Sequence, residues 1–148
     1  MSTEDTFPTP LDELAFLLEE VPRALRRKFD ERTLAHGLSR THWRILAYLF
    51  RDRGMSQTEL AKCLELERIT VGLALDKMEE NGLVERHRSP TDRRVRLVYA
   101  LPKAMDLLPE LRRKADATYA EMLGDLPAEQ VAEFRKTLEL FAANLHKV

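Results

Sequence analysis

Five arginines, Arg86, Arg88, Arg93, Arg94 and Arg96, stand close together in the chain, opposed only by Glu85 and Asp92. A guanidinium is planar, permanently charged and rich in N–H donors, so a cluster of them suits a polyanionic partner such as a nucleic-acid backbone. The alternative is a strand edge whose charges keep it from pairing with another chain. The formal net charge of the 148 residues is only -1, so nucleic-acid binding has to come from segregated charge rather than from an overall basic protein. Asp92 and Arg94 are spaced so that the carboxylate can hold the guanidinium in place. An arginine held at a loop tip can enter a narrow minor groove, where the negative potential is concentrated. A surface ion pair worth under about 1 kcal/mol is the plainer account of the same spacing.

The elements that must position these side chains can be read from the flanking sequence. Residues 83–86 and 95–101 have strand character, and Ser89-Pro90-Thr91-Asp92 reverses the chain between them, which makes a β-hairpin. Upstream, Ser56-Gln57-Thr58-Glu59 has the spacing of a capping box and leads into Leu60, Ala61 and Leu64. The next helix begins at Glu67 or Arg68, counts Ile69, Leu73, Leu75 and Met78 among its apolar positions, and ends at Gly82, a C-cap residue. A short helix, a tight turn, a second helix and a basic hairpin form the winged helix-turn-helix arrangement. In that arrangement the second helix enters the major groove and the hairpin reaches along the duplex.

Several roles follow, each with a plainer alternative. Arg68 and Thr70 occupy the first turn of the recognition helix, where arginine can pair with guanine and the threonine methyl can lie on thymine. They can equally be a phosphate clamp and a helix-start residue. Ser56, Gln57 and Thr58 open a helix whose free amides suit a phosphate, or serve only as caps. Arg86, Arg88 and Arg96 are read as phosphate or backbone binders rather than base readers.

The rest of the chain is helical. Residues 1–10 read as a flexible arm. Leu11, Leu14, Leu18, Leu25 and Phe29 recur at helical spacing along a first helix over 11–35, with a bend at Pro22. Ser39 or Thr41 caps a second helix that carries Trp43, Ile45, Leu46, Leu49 and Phe50 and stops near Gly54. Pro102 opens a helix that runs to about residue 123 with a bend at Pro109, and Pro127 starts the last one. The expected fold class is mostly α with a small β-hairpin wing. Residues 37–101 form the DNA-binding lobe, and 11–36 and 102–148 supply dimerisation helices. A two-fold dimer presents two recognition helices one helical turn apart; intramolecular packing of these helices is the other reading.

His36, Arg40, His42, Trp43 and Arg44 gather at the joint between the first two helices. A cationic, aromatic pocket there could take a small aromatic carboxylate or an acyl thioester. Against this, Trp43 has a helical core position and His42 can be a surface residue. The single Cys63 excludes an intrachain disulfide and a multi-cysteine metal site, and it is read as a semi-buried, inert thiol. The histidine spacing matches no common metal site, and no cofactor is expected beyond an organic effector. No phosphate loop, nucleophile elbow or His-Glu-x-x-His pair suggests an enzyme. No run of about 18 apolar residues suggests a membrane span, and the acidic, proline-bearing MSTEDTFPTP is no secretory signal, so a cytoplasmic protein is expected.

Four stretches together resemble the multiple-antibiotic-resistance regulator (MarR) family, in its SlyA-like branch. They are Leu38-Ser39-Arg40-Thr41-His42-Trp43, Ser56-Gln57-Thr58-Glu59-Leu60-Ala61, the run LDKMEENGLVER from Leu75 to Arg86, and Pro90-Thr91-Asp92-Arg93-Arg94. The likeness extends over about residues 11–146. It implies a homodimeric winged-helix transcription factor, usually a repressor released by a small, often aromatic and anionic, ligand, and it agrees with an Asp92–Arg94 pairing at the wing. The chain departs from the family pattern at Ala100-Leu101 and Ala104, where Leu-Thr and a glycine are common. It departs again at Leu73, where a SlyA-like protein has an arginine, which implies a base readout that is either thinner or shifted to Arg68 and Thr70. Two other expectations remain beside this one: an architectural or anti-silencing DNA-binding protein without a ligand, and an interaction module whose arginine hairpin grips an acidic protein.

Overall fold

The computed structural model describes residues 6–34 and 37–147. Among the described residues six helices and three short strands follow one another: α1 (Pro10–Thr33), α2 (Arg40–Arg51), β1 (Met55–Ser56), α3 (Gln57–Leu64), α4 (Arg68–Glu80), β2 (Val84–Arg88), β3 (Arg96–Ala100), α5 (Pro102–Leu123) and α6 (Ala128–Leu145). The strands form one antiparallel sheet in the order β1-β3-β2. This is the winged helix-turn-helix architecture with one added helix before it and two after it.

Local chemistry explains most boundaries. Thr9 caps α1 with a reciprocal box, in which its N–H donates to Asp12 Oδ2 at 2.7 Å and Asp12 N–H donates to Thr9 Oγ1 at 3.2 Å. The Thr9 N–H, foremost, and the Thr9 hydroxyl, which donates to the same Oδ2 at 2.9 Å, hold the Asp12 carboxyl below its ordinary pKa. α1 therefore begins at Pro10, behind a defined cap and one residue before the expected start at Leu11. α1 continues through Pro22 and α5 through Pro109 as single helices. Ser39, rather than Thr41, caps α2. Ser56 caps α3 by accepting the Glu59 N–H at 3.0 Å. α3 closes on Glu65 in the left-handed region (φ 55°), a conformation uncommon for a residue with a Cβ.

The core lies between α2, α3, α4 and the inner face of the sheet, where Ile45, Leu46, Leu60, Val71, Leu75, Met78 and Val98 are fully buried. In α4 the buried residues are Val71, Leu75 and Met78, spaced four and three apart on one face. Ile69 and Leu73 are not core residues, contrary to the apolar pattern read from the sequence: they lie on the opposite face and are 75% and 66% exposed. Strand β1 was also not anticipated. Its two residues pair with Val98 and Leu97, too short a segment to show a period of two. The hairpin strands sit slightly off their expected bounds, with Val84 opposite Ala100 and Arg88 opposite Arg96.

α5 packs along α1. Arg32 donates to Thr118 Oγ1 at 2.7 Å and to Glu121 Oε2 at 2.5 Å, and Lys28 reaches the other Glu121 oxygen at 3.2 Å. Together these cations, Arg32 first, lower the Glu121 pKa. α6 has no buried residue and exposes Phe134, Leu138, Leu140 and Leu145, while α1 exposes Leu11, Leu14, Phe16 and Leu17. Cys63 is exposed on α3, which corrects the expectation of a semi-buried thiol. No helix among the described residues is long and apolar enough to cross a membrane.

Candidate nucleic-acid interface and adjoining cavity

The wing turn is built from its own side chains. Ser89 Oγ accepts the N–H groups of Thr91 and Asp92 at 3.3 and 3.4 Å, and Ser89 N–H donates to Val95 O at 2.8 Å. These bonds are the Ser/Asx turn chemistry that the Ser89-to-Asp92 sequence offers. One oxygen, Asp92 Oδ1, then accepts both the Arg94 backbone N–H at 3.0 Å and its Nε–H at 3.5 Å. The Arg94 side chain is 91% exposed. It is therefore oriented at its base and free at its guanidinium tip.

The sheet folds the wing back beside the helix-turn-helix. Ser56, Gln57 and Thr58 at the start of α3, Arg68 at the start of α4, and Arg94 and Arg96 of the wing line one concavity of about 330 Å³. A helix amino terminus contributes free amides and partial positive charge, and three arginines surround it. This groove can hold a phosphate backbone. The sequence separates these residues by as many as 40 positions, from Ser56 to Arg96, yet the fold gathers six of the proposed contact residues. Arg88, Arg93 and Thr70 are exposed nearby on the wing and on α4.

Arg86 is placed differently from its neighbours in the cluster. Its side chain is only 11% exposed and is directed inward, toward α4. It pairs with Asp76 and with both oxygens of Glu79, and NH1 donates to Gln57 Oε1 at 3.5 Å. The bond to Glu79 is the foremost cause of its raised pKa. Gln57 also donates to Arg68 O at 3.3 Å, and a Cβ on Gly72 would sit 2.8 Å from its Nε2. Gln57 and Arg86 thus join α3, α4 and the wing, with Arg86 turned inward and Gln57 also lining the groove.

A second feature lies at the joint of α1, α2 and α5, a cavity of about 380 Å³. Phe29, Trp43, Phe50, Leu111 and Tyr119 supply an apolar and aromatic wall, and Arg26, Arg40, Arg44 and Arg112 add cationic groups. Arg40 is paired with Asp30 at 3.3 Å, Arg112 with Asp116 at 2.6 Å, and Arg44 donates to Leu64 O at 3.4 Å. Three of the residues proposed for a ligand, Arg40, Trp43 and Arg44, line this cavity. His42 does not line it. Its Nδ1 accepts the Ser39 N–H at 3.1 Å, completing the α2 cap. Burial, with the nearby Lys77 charge, lowers its pKa. His36 lies outside the described residues.

The MarR-family model matches residues 36–95, which span the helix-turn-helix and most of the wing. The structure of the transcriptional regulator PA3341 is 32% identical to this chain over 89% of its length and 97% of the other, with a TM-score of 0.80. The chain belongs to the MarR family. A MarR transcriptional regulator from Methanosarcina mazei Go1 superposes with the same TM-score at 22% identity, covering 90% and 96% of the two chains. CouR from Rhodococcus jostii RHA1, bound to p-coumaroyl-CoA, has a TM-score of 0.74 at 25% identity, covering 91% and 95%.

As a MarR-family protein, the chain is a winged-helix, DNA-binding transcription regulator. Sequence reasoning missed the contribution of α5 to the cavity, because nothing local to Leu111, Arg112 and Tyr119 shows which helices they will meet. It also gave Arg86 the same outward role as its neighbours. The available signal was the i, i+3 pair Asp76 and Glu79 on α4, which supplies two carboxylates to one cation.

Proposed function

We propose that this regulator acts in the cytoplasm as a homodimeric repressor on a pseudo-palindromic operator, which it leaves when a small aromatic carboxylate or acyl thioester enters the cavity between α1, α2 and α5. The dimer is argued from α6 and the outer face of α1, whose exposed Phe and Leu side chains need a covering surface. In the operator complex, α4 lies in the major groove, the groove beside Arg68 takes backbone phosphate, and Arg94 reaches the minor groove. Arg88, Arg93 and Arg96 add phosphate contacts along the duplex.

The observation that carries ligand release is that α2 belongs to two places at once. Its Ile45 and Leu46 are in the core of the DNA-binding lobe, while Trp43 and Arg44 line the cavity. An effector that fits better in one spacing of the two lobes shifts the dimer toward that spacing. Where that spacing fails to match consecutive major grooves, DNA is released. The aromatic wall and arginines suit an aryl group with an anionic end, and the p-coumaroyl-CoA held by CouR is of this chemical class.

Trp43 is the single tryptophan, so its fluorescence reports on the cavity. Titrating p-coumaroyl-CoA, p-coumarate and benzoate into the protein bound to labelled upstream DNA should quench Trp43 and free the DNA at the same concentrations. Quenching without release would contradict effector control, as would indifference to all three compounds.

A further inference from the structure

We propose that Ile69 and Leu73 form an apolar reading edge on α4 that recognises thymine C5-methyl groups, so that each operator half-site carries thymines facing this edge. The inference rests on the reading of α4 as the helix that enters the major groove, and it adds what that helix reads.

Ile69 and Leu73 are 75% and 66% exposed, unlike the other branched aliphatic side chains of α4, Val71 and Leu75, which are fully buried. Burial of Val71, Leu75 and Met78 fixes the roll of the helix. With Gly72 held close against the Gln57 amide, the helix cannot turn its two exposed aliphatics inward without unpacking its core. They are four residues apart and therefore stack on one face, about 6 Å apart along the axis. That advance matches roughly two base steps of about 3.4 Å. Exposed Arg68 and Lys77 flank them on the same helix, and Arg94 and Arg96 stand in the neighbouring groove. Cations at the edges and apolar groups at the centre suit a surface that grips phosphates on both sides of a groove floor. The thymine methyl is the one apolar group that a base pair presents in the major groove. An edge of Ile and Leu offers guanine or cytosine no hydrogen bond, so it favours A·T pairs in the orientation that brings the methyl forward.

The test uses the full-length protein and duplexes selected by it from a randomised pool. Selected half-sites should contain thymines at two positions about two steps apart. Replacing those thymidines with deoxyuridine removes the methyl and leaves the pairing unchanged. Wild type should then bind roughly fourfold more weakly for each methyl lost. An Ile69→Ala, Leu73→Ala double variant, with an unchanged circular dichroism spectrum, should bind both duplexes equally. Equal binding of the two duplexes by wild type would overturn the inference, and so would methyl discrimination that survives in the double variant. Failure to bind any duplex would overturn the DNA-binding reading as well, whereas binding that ignores the methyl overturns the apolar edge alone.

Discussion

Arg86 and Glu79 fasten the wing to the recognition helix through three contacts to one carboxylate. The Arg86 backbone N–H and Nε–H both donate to Glu79 Oε1, at 3.1 and 3.2 Å, and NH2 donates to Oε2 at 3.1 Å. The bond from the Arg86 side chain is the foremost cause of the lowered Glu79 pKa. A strand and a helix that carry separate parts of the proposed DNA-binding surface are thereby held at one fixed offset. Charge-assisted bonds of this kind contribute about 1.5–3 kcal/mol when little exposed. Arg86→Ala should lower unfolding stability by about that amount in denaturant titrations. DNA affinity should also fall, with the salt dependence of binding unchanged, because no phosphate contact is lost. A reduced salt slope would show that Arg86 faces DNA.

His42 makes stability depend on pH. Its Nδ1 must be unprotonated to accept the Ser39 N–H, and burial lowers its folded-state pKa. The unfolded chain therefore binds this proton more readily than the folded one, with a pKa of about 6.5. The stabilising contribution is fully present above that pH and is lost as pH falls through the lower, folded value. His42→Gln keeps an acceptor at the third helical position and does not titrate. Thermal unfolding from pH 7.5 to 5 should show a smaller loss of Tm for this variant than for wild type. Parallel curves would remove His42 from the account.

α6 predicts concentration-dependent stability. A helix without one buried residue gains little by packing on its own chain, and in the proposed dimer its Phe134 and Leu138 are covered by the partner. Phe134→Asp should convert the species seen by sedimentation from dimer to monomer, and wild-type Tm should rise with protein concentration. A wild-type monomer at micromolar concentration would refute the proposed dimer.

The legible parts of this molecule are those with local causes. Ser39, Ser56, Gly82 and Pro102 mark helix ends through caps that work within one turn, and the Ser89-to-Asp92 turn follows from side chains bonding to their own backbone. The order of helix, turn, helix and basic hairpin was legible for the same reason. What escaped depends on distant partners. The sequence does not show that Arg86 meets Glu79 across the helix–wing joint, or that Tyr119 and Trp43 come to line one cavity. In the sequence Ile69 and Leu73 count with Leu75 and Met78 as one set of apolar positions, and helical spacing alone does not divide that set between a buried and an exposed face. In α4 two apolar stripes lie on opposite faces, and only the packing of Val71, Leu75 and Met78 decides which one is buried.

The most direct test of DNA recognition by wing and helix is the salt dependence of binding to the gene's own upstream fragment, compared for wild type and Arg94→Ala. Arg94 is anchored by Asp92 and otherwise exposed, so the substitution leaves the fold intact. Wild type should bind tightly, with affinity falling steeply as salt rises. Arg94→Ala should bind more weakly by about 1–3 kcal/mol, with a log-log slope shallower by about 1 for each wing. Equal affinity and equal slope for the two proteins would contradict the placement of the wing on DNA.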